Sequence, residues 1–97
     1  MPIVNVSLQV LPLVPEEKVY QVVDKVIKYI KSTGVNFMVG PMETTMEGEF
    51  EHLLEIVKEA QEICVKEGAN RVISIVKIDY RSQGVTMEEK IKKYIDK

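Results

Sequence analysis

Ninety-seven residues, 45% apolar and 29% charged, have the composition of an ordinary folded protein and room for one core. A formal charge of −2, with acids and bases interspersed, excludes the basic footprint of a nucleic-acid or acidic-membrane binder. One cysteine, Cys64, excludes an internal disulfide, and with a single histidine, His52, no metal cluster is expected.

Residues 1–97 therefore read as a single domain. A cytoplasmic location is expected. Met1-Pro2-Ile3-Val4-Asn5 has neither the charged n-region nor the apolar h-region of a signal peptide. No apolar run approaches the length of a membrane span.

Residues 3–11 alternate, with Val4, Val6, Leu8 and Val10 on one face and Asn5, Ser7 and Gln9 on the other. That period of two, rich in β-branched residues, predicts a half-buried strand ended by Pro12 and Pro15. Residues 16–33 place Val19, Val22, Val23, Val26, Ile27 and Ile30 on one helical stripe. Glu16 and Glu17 at its start and Lys28 and Lys31 near its end suit the helix dipole, and Gly34 stops it.

A short strand over 36–39 follows, with Phe37 and Val39 on one side and Asn36 and Met38 on the other. Gly40-Pro41 turns it into a second run over 42–48, so the two predict a hairpin. There Thr44 and Met46 share one parity, and Glu43, Thr45 and Glu47 the other. Residues 49–67 predict a second helix that buries Phe50, Leu53, Leu54, Val57, Ala60 and Cys64, flanked by Ile56 and Ile63.

Residues 71–81 are expected to form the last and longest strand. Val72, Ser74, Val76, Ile78 and Tyr80 share one face; Arg71, Ile73, Ile75, Lys77, Asp79 and Arg81 share the other. Isoleucines on that outer face imply that something covers it. Thr86-Met87-Glu88-Glu89 is a capping box, opening a short helix with Met87, Ile91, Tyr94 and Ile95 on one side.

The order strand, helix, strand, strand, helix, strand predicts an α+β, ferredoxin-like βαββαβ sandwich with an extra C-terminal helix. Its antiparallel sheet would run 4-1-3-2, with both long helices on one face. The other face then carries Asn5, Ser7 and Gln9 beside Glu43, Thr45 and Glu47, with Met38, Ile73 and Ile75 around them. Apolar patches among hydroxyls, amides and carboxylates make poor solvent-facing surface and good interface material, so a homo-oligomer pairing through the sheet is expected.

The same polar set suits a small-molecule site, although threonine is also common in strands for its β-propensity alone. His52 reads as a surface residue and Cys64 as a small core hydrophobe. Tyr20 and Tyr29 would cap the core with their hydroxyls in water. Arg71, Lys77 and Arg81 lie along one strand face and could meet an anion, with salt bridging the default. No glycine-rich phosphate loop is present, nor the central aromatic pair that reads single-stranded RNA in this fold.

Residues 3–12, Ile-Val-Asn-Val-Ser-Leu-Gln-Val-Leu-Pro, and residues 40–48, Gly-Pro-Met-Glu-Thr-Thr-Met-Glu-Gly, resemble the small thiamine-binding protein family. The resemblance extends over nearly the whole chain and is most specific in the second stretch. It implies a ferredoxin-like protein that assembles as dimers and commonly tetramers through its sheets, with no established catalytic activity; a non-enzyme without a cofactor is expected. It further implies thiamine or its hydroxymethylpyrimidine moiety as ligand, carried or sensed. Glu47 would then engage the exocyclic amine or a ring nitrogen, Asn5, Ser7 and Thr45 would supply hydrogen bonds, and Met38 would pack on the ring. The net acidity counts against a phosphorylated ligand. Two alternatives are a regulatory or structural oligomerisation module for another metabolite, expected within a longer chain, and an acylphosphatase-like hydrolase. The latter needs an anion cradle that Pro12-Leu13-Val14-Pro15 does not offer.

Overall fold

The computed structural model describes residues 2–95. The elements run β1 (Ile3–Pro12), α1 (Val19–Ser32), β2 (Asn36–Val39), β3 (Thr44–Glu49), α2 (Phe50–Lys66), β4 (Val72–Asp79) and α3 (Met87–Ile95). The strands form one antiparallel sheet ordered β2-β3-β1-β4, the expected 4-1-3-2 read from the opposite edge. This is the ferredoxin-like sandwich, with α3 added.

The core lies between one sheet face and the two long helices. Val4, Val6, Leu8 and Val10 of β1 and Met46 of β3 meet Val22, Val26 and Ile30 of α1 and Leu53, Ile56, Ala60 and Cys64 of α2. Cys64 is fully enclosed, and burial pushes its thiol pKa up, so it is a protonated packing group. Leu54, expected in the α2 stripe, is 38% exposed because the buried face follows positions 53, 56, 60 and 64. Tyr20 is 83% exposed and caps nothing, whereas Tyr29 packs against the core as expected.

Several boundaries differ from those the periodicity predicts. Residues 16–18 form a 3-10 turn, Glu16–Lys18, because the Lys18 N–H bonds back to the Pro15 carbonyl at 2.8 Å, and α1 begins after it. β3 starts at Thr44 because Met42 and Glu43 belong to a turn closed by the Gly40 N–H on the Glu43 carbonyl at 2.7 Å. Any side chain at Gly40 would put its Cβ 3.0 Å from that carbonyl oxygen, so the close return demands glycine.

β4 spans 8 residues and ends at Asp79; β1, with 10 and neighbours on both sides, is the longest strand. Arg81 therefore lies beyond the strand. β3 runs into α2 with no intervening residue, and a Cβ at Gly48 would meet Leu53 Cδ2 at 3.4 Å. The glycine lets the first turn of α2 settle on the end of β3.

Candidate ligand-binding site

Strand alternation sends Asn5, Ser7, Thr45, Glu47, Met38 and Lys77 to the sheet face opposite α1 and α2. The register aligns them in rows across the strands. Met38 pairs with Thr45, Thr45 with Ser7, and Ser7 with Lys77, giving one row from β2 to β4. The adjacent row is Asn36, Glu47, Asn5 and Asp79.

α3 lies across this face. A turn closed by the Gly84 N–H on the Arg81 carbonyl at 2.8 Å reverses the chain after β4, and Val85 N–H bonds to the Ile3 carbonyl at 2.9 Å. The capping box forms as predicted: Glu89 N–H donates to Thr86 Oγ1 at 3.2 Å, and Thr86 N–H donates to Glu89 Oε1 at 2.9 Å. Arg81 pairs with the same carboxylate at 3.1 Å. The Thr86 N–H leads in holding the Glu89 pKa below the usual carboxylate value, helped by Arg81 and opposed by desolvation.

Glu47 fastens α3 to the sheet. Its Oε1 accepts the backbone N–H of Met87, the first residue of the helix, and Asn5 Nδ2 at 3.2 Å; its Oε2 accepts Asn36 Nδ2 at 3.1 Å. A carboxylate at a helix N-terminus is also favoured by the dipole. Farther along α3, Lys90 Nζ lies 2.6 Å from Asp79 Oδ2.

Between α3 and the sheet is a cavity of about 410 Å³. Its floor carries Asn5, Ser7, Met38, Thr45 and Lys77, and α3 contributes Met87, Lys90 and Ile91. Four of the five residues expected to contact a ligand are thus brought together. The fifth, Glu47, is one row away with its carboxylate engaged by three N–H donors, and it is not among the lining residues. Gln9 and Glu43 line a separate groove of about 240 Å³ between α1 and the Gly40–Glu43 turn.

Asn5 distinguishes the cavity under α3. It is 3% exposed; its amide nitrogen points to Glu47, and its Oδ1 is a buried acceptor without a hydrogen-bond partner among the described residues. Buried acceptors of this kind are rare in folded proteins and call for a donor from elsewhere. No group of three acidic, histidine or cysteine side chains that could hold a metal occurs among the described residues. No described helix is long and apolar enough to cross a membrane.

The family model described as thiamine-binding protein matches residues 6–95. The chain belongs to the thiamine-binding protein family. Within that family, a UPF0045 protein of Clostridium perfringens is 70% identical over 90 residues, which cover 93% of this chain and 95% of the relative. A solved domain of unknown function from Bacillus cereus superposes with a TM-score of 0.92 at 49% identity, covering 98% of this chain and 92% of that one. A Thermotoga maritima structure, named for thiamine biosynthesis or salvage, superposes with a TM-score of 0.89 at 41% identity, covering 96% and 99%.

The contributions of Met87, Lys90 and Ile91 were not among the expected site residues. The apolar pair Met87 and Ile91, spaced i, i+4 after a capping box, was the available sign that α3 needs a semi-apolar partner surface. Of the three basic residues expected along one face of β4, only Lys77 lies within the strand; Arg81 is committed to Glu89.

Proposed function

We propose that this protein is a non-enzymatic, cytoplasmic carrier or sensor that binds thiamine or its hydroxymethylpyrimidine moiety under α3, working as a homo-oligomer. The observation that carries this reading is the orphaned Asn5 Oδ1 in a cavity that also offers two hydroxyls and the Met38 thioether. An aminopyrimidine has the matching chemistry. Its exocyclic amine would donate to Asn5 Oδ1, Ser7 and Thr45 would meet the ring nitrogens, and Met38 would pack on the ring face. Glu47 then acts through others: it orients the Asn5 amide and holds α3 in place. The family description and the name of the Thermotoga maritima relative support the ligand class.

Assembly is supported by what the chain leaves uncovered. Ile73, Ile75, Val76 and Ile78 of edge strand β4 are 36–52% exposed, on both faces of the sheet. Edge strands usually blunt themselves with charges or proline, and this one has only Lys77 and Asp79. A second copy pairing along β4 would cover those residues.

Isothermal titration tests the reading. Thiamine and hydroxymethylpyrimidine, titrated separately, are expected to give saturable heat at one site per chain. Ser7→Ala and Thr45→Val should each weaken binding by about fivefold, the worth of one neutral hydrogen bond. No heat with either compound, in a folded oligomer, would leave the sheet face as an assembly surface only.

A further inference from the structure

Chemistry changes along the cavity floor in one direction. From β2 to β4 the row reads Met38, Thr45, Ser7, Lys77: a thioether, two hydroxyls, then an ammonium. Three strand spacings separate its ends, roughly 14 Å of floor. That is more than a single six-membered ring with its hydrogen bonds would occupy.

The β4 end differs in charge from the molecule as a whole. Lys77 and Lys90 line it together with Asp79. Asp79 is held by Lys90 at 2.6 Å, and among the described residues Lys77 has no carboxylate within ion-pair distance. Its neighbour across the strand is Ser7, which brings no charge. Two ammonium groups and one carboxylate leave this end locally positive in a protein of net charge −2. The overall acidity, which counts against an anionic ligand, is thus reversed where a ligand would lie.

We infer that the β4 end of the cavity is a subsite for an anionic group, and that the ligand is taken in a phosphorylated form, as a phosphomonoester of the aminopyrimidine class. This rests on the reading that the ring binds over Ser7 and Thr45. With the ring near Met38 and the hydroxyls, a phosphate on its side arm reaches Lys77. Lys90 closes over it from α3 without abandoning Asp79, since an ammonium has three N–H donors. Charge-assisted hydrogen bonds to phosphate are stronger than those between neutral groups, so this end would dominate the choice between phosphorylated and free ligand.

The test is titration of the intact protein with thiamine, thiamine monophosphate, hydroxymethylpyrimidine, its phosphate and inorganic phosphate. The phosphorylated member of each pair is expected to bind at least about tenfold tighter. Lys77→Met should abolish that preference, and Lys77→Arg should retain it. Lys77 is exposed on an edge strand, so both variants are expected to fold. Equal affinities within each pair would overturn the subsite and leave the ring site standing, as would a preference that survives in Lys77→Met. Inorganic phosphate binding as tightly as the esters would overturn the ester as source of the anion. Failure of all the organic compounds would overturn the subsite together with the reading it rests on.

Discussion

Glu47→Ala is expected to release α3 from the sheet and to lower stability by about 2 kcal/mol. The Met87 N–H and Asn5 Nδ2 lose a charged acceptor at once, and Asn36 loses its partner across the hairpin. α3 has 9 residues, too few for a helix to persist alone in water, so it depends on this clasp, the Lys90–Asp79 pair and the burial of Met87. Urea unfolding should show the lowered midpoint, and amide exchange should show lost protection over 87–95. Glu47→Gln keeps one acceptor oxygen and should fall between the two. An unchanged midpoint with α3 still protected would mean that Glu47 does not hold the helix. Ligand affinity should fall with the helix, because the roof of the cavity goes with it.

If copies assemble along β4 as proposed, Ile73→Lys combined with Ile75→Lys is expected to leave folded monomers. Both side chains are about half exposed, at 49% and 52%, so the isolated chain loses little when they are replaced. Across a two-fold axis each copy would bring two lysines to the other and withdraw two isoleucines. Buried isoleucine contributes roughly 2 kcal/mol, so dissociation should become easier by at least about two orders of magnitude. Sedimentation at micromolar concentration reads the result directly. Wild-type protein sedimenting as a clean monomer would remove the assembly from the account. A double variant with unchanged mass would place the interface elsewhere.

The fold was legible because the chain's local patterns agree with one another. Alternation in β1 assigned Val4, Val6, Leu8 and Val10 to the core and Asn5 and Ser7 to the opposite face, and the register kept that parity across β3 and β4. Element ends were less legible, because hydrogen bonds that periodicity does not encode decide them. Pro15 imposes a 3-10 turn, and the tight return at Gly40 takes Met42 and Glu43 out of β3.

The candidate site was half legible for a related reason. Parity alone brings Asn5, Ser7, Met38 and Thr45 to one face, and they line one cavity. Parity also places Glu47 on that face, but what its carboxylate does depends on α3 folding back over the sheet. That is a tertiary event, signalled beforehand only by a capping box and the Met87 and Ile91 pair. The same return of α3 carries Lys90 to the β4 end, so the local charge there could not be read from a net charge of −2.

Amide chemical-shift mapping during titration with hydroxymethylpyrimidine locates the ligand on the fold. A ligand beneath α3 should give saturable shifts clustered at Asn5, Ser7, Met38, Thr45 and the first turns of α3, with little change along α1. Shifts confined to the groove between α1 and the Gly40–Glu43 turn, or no saturable shifts at all, would contradict a ligand site beneath α3.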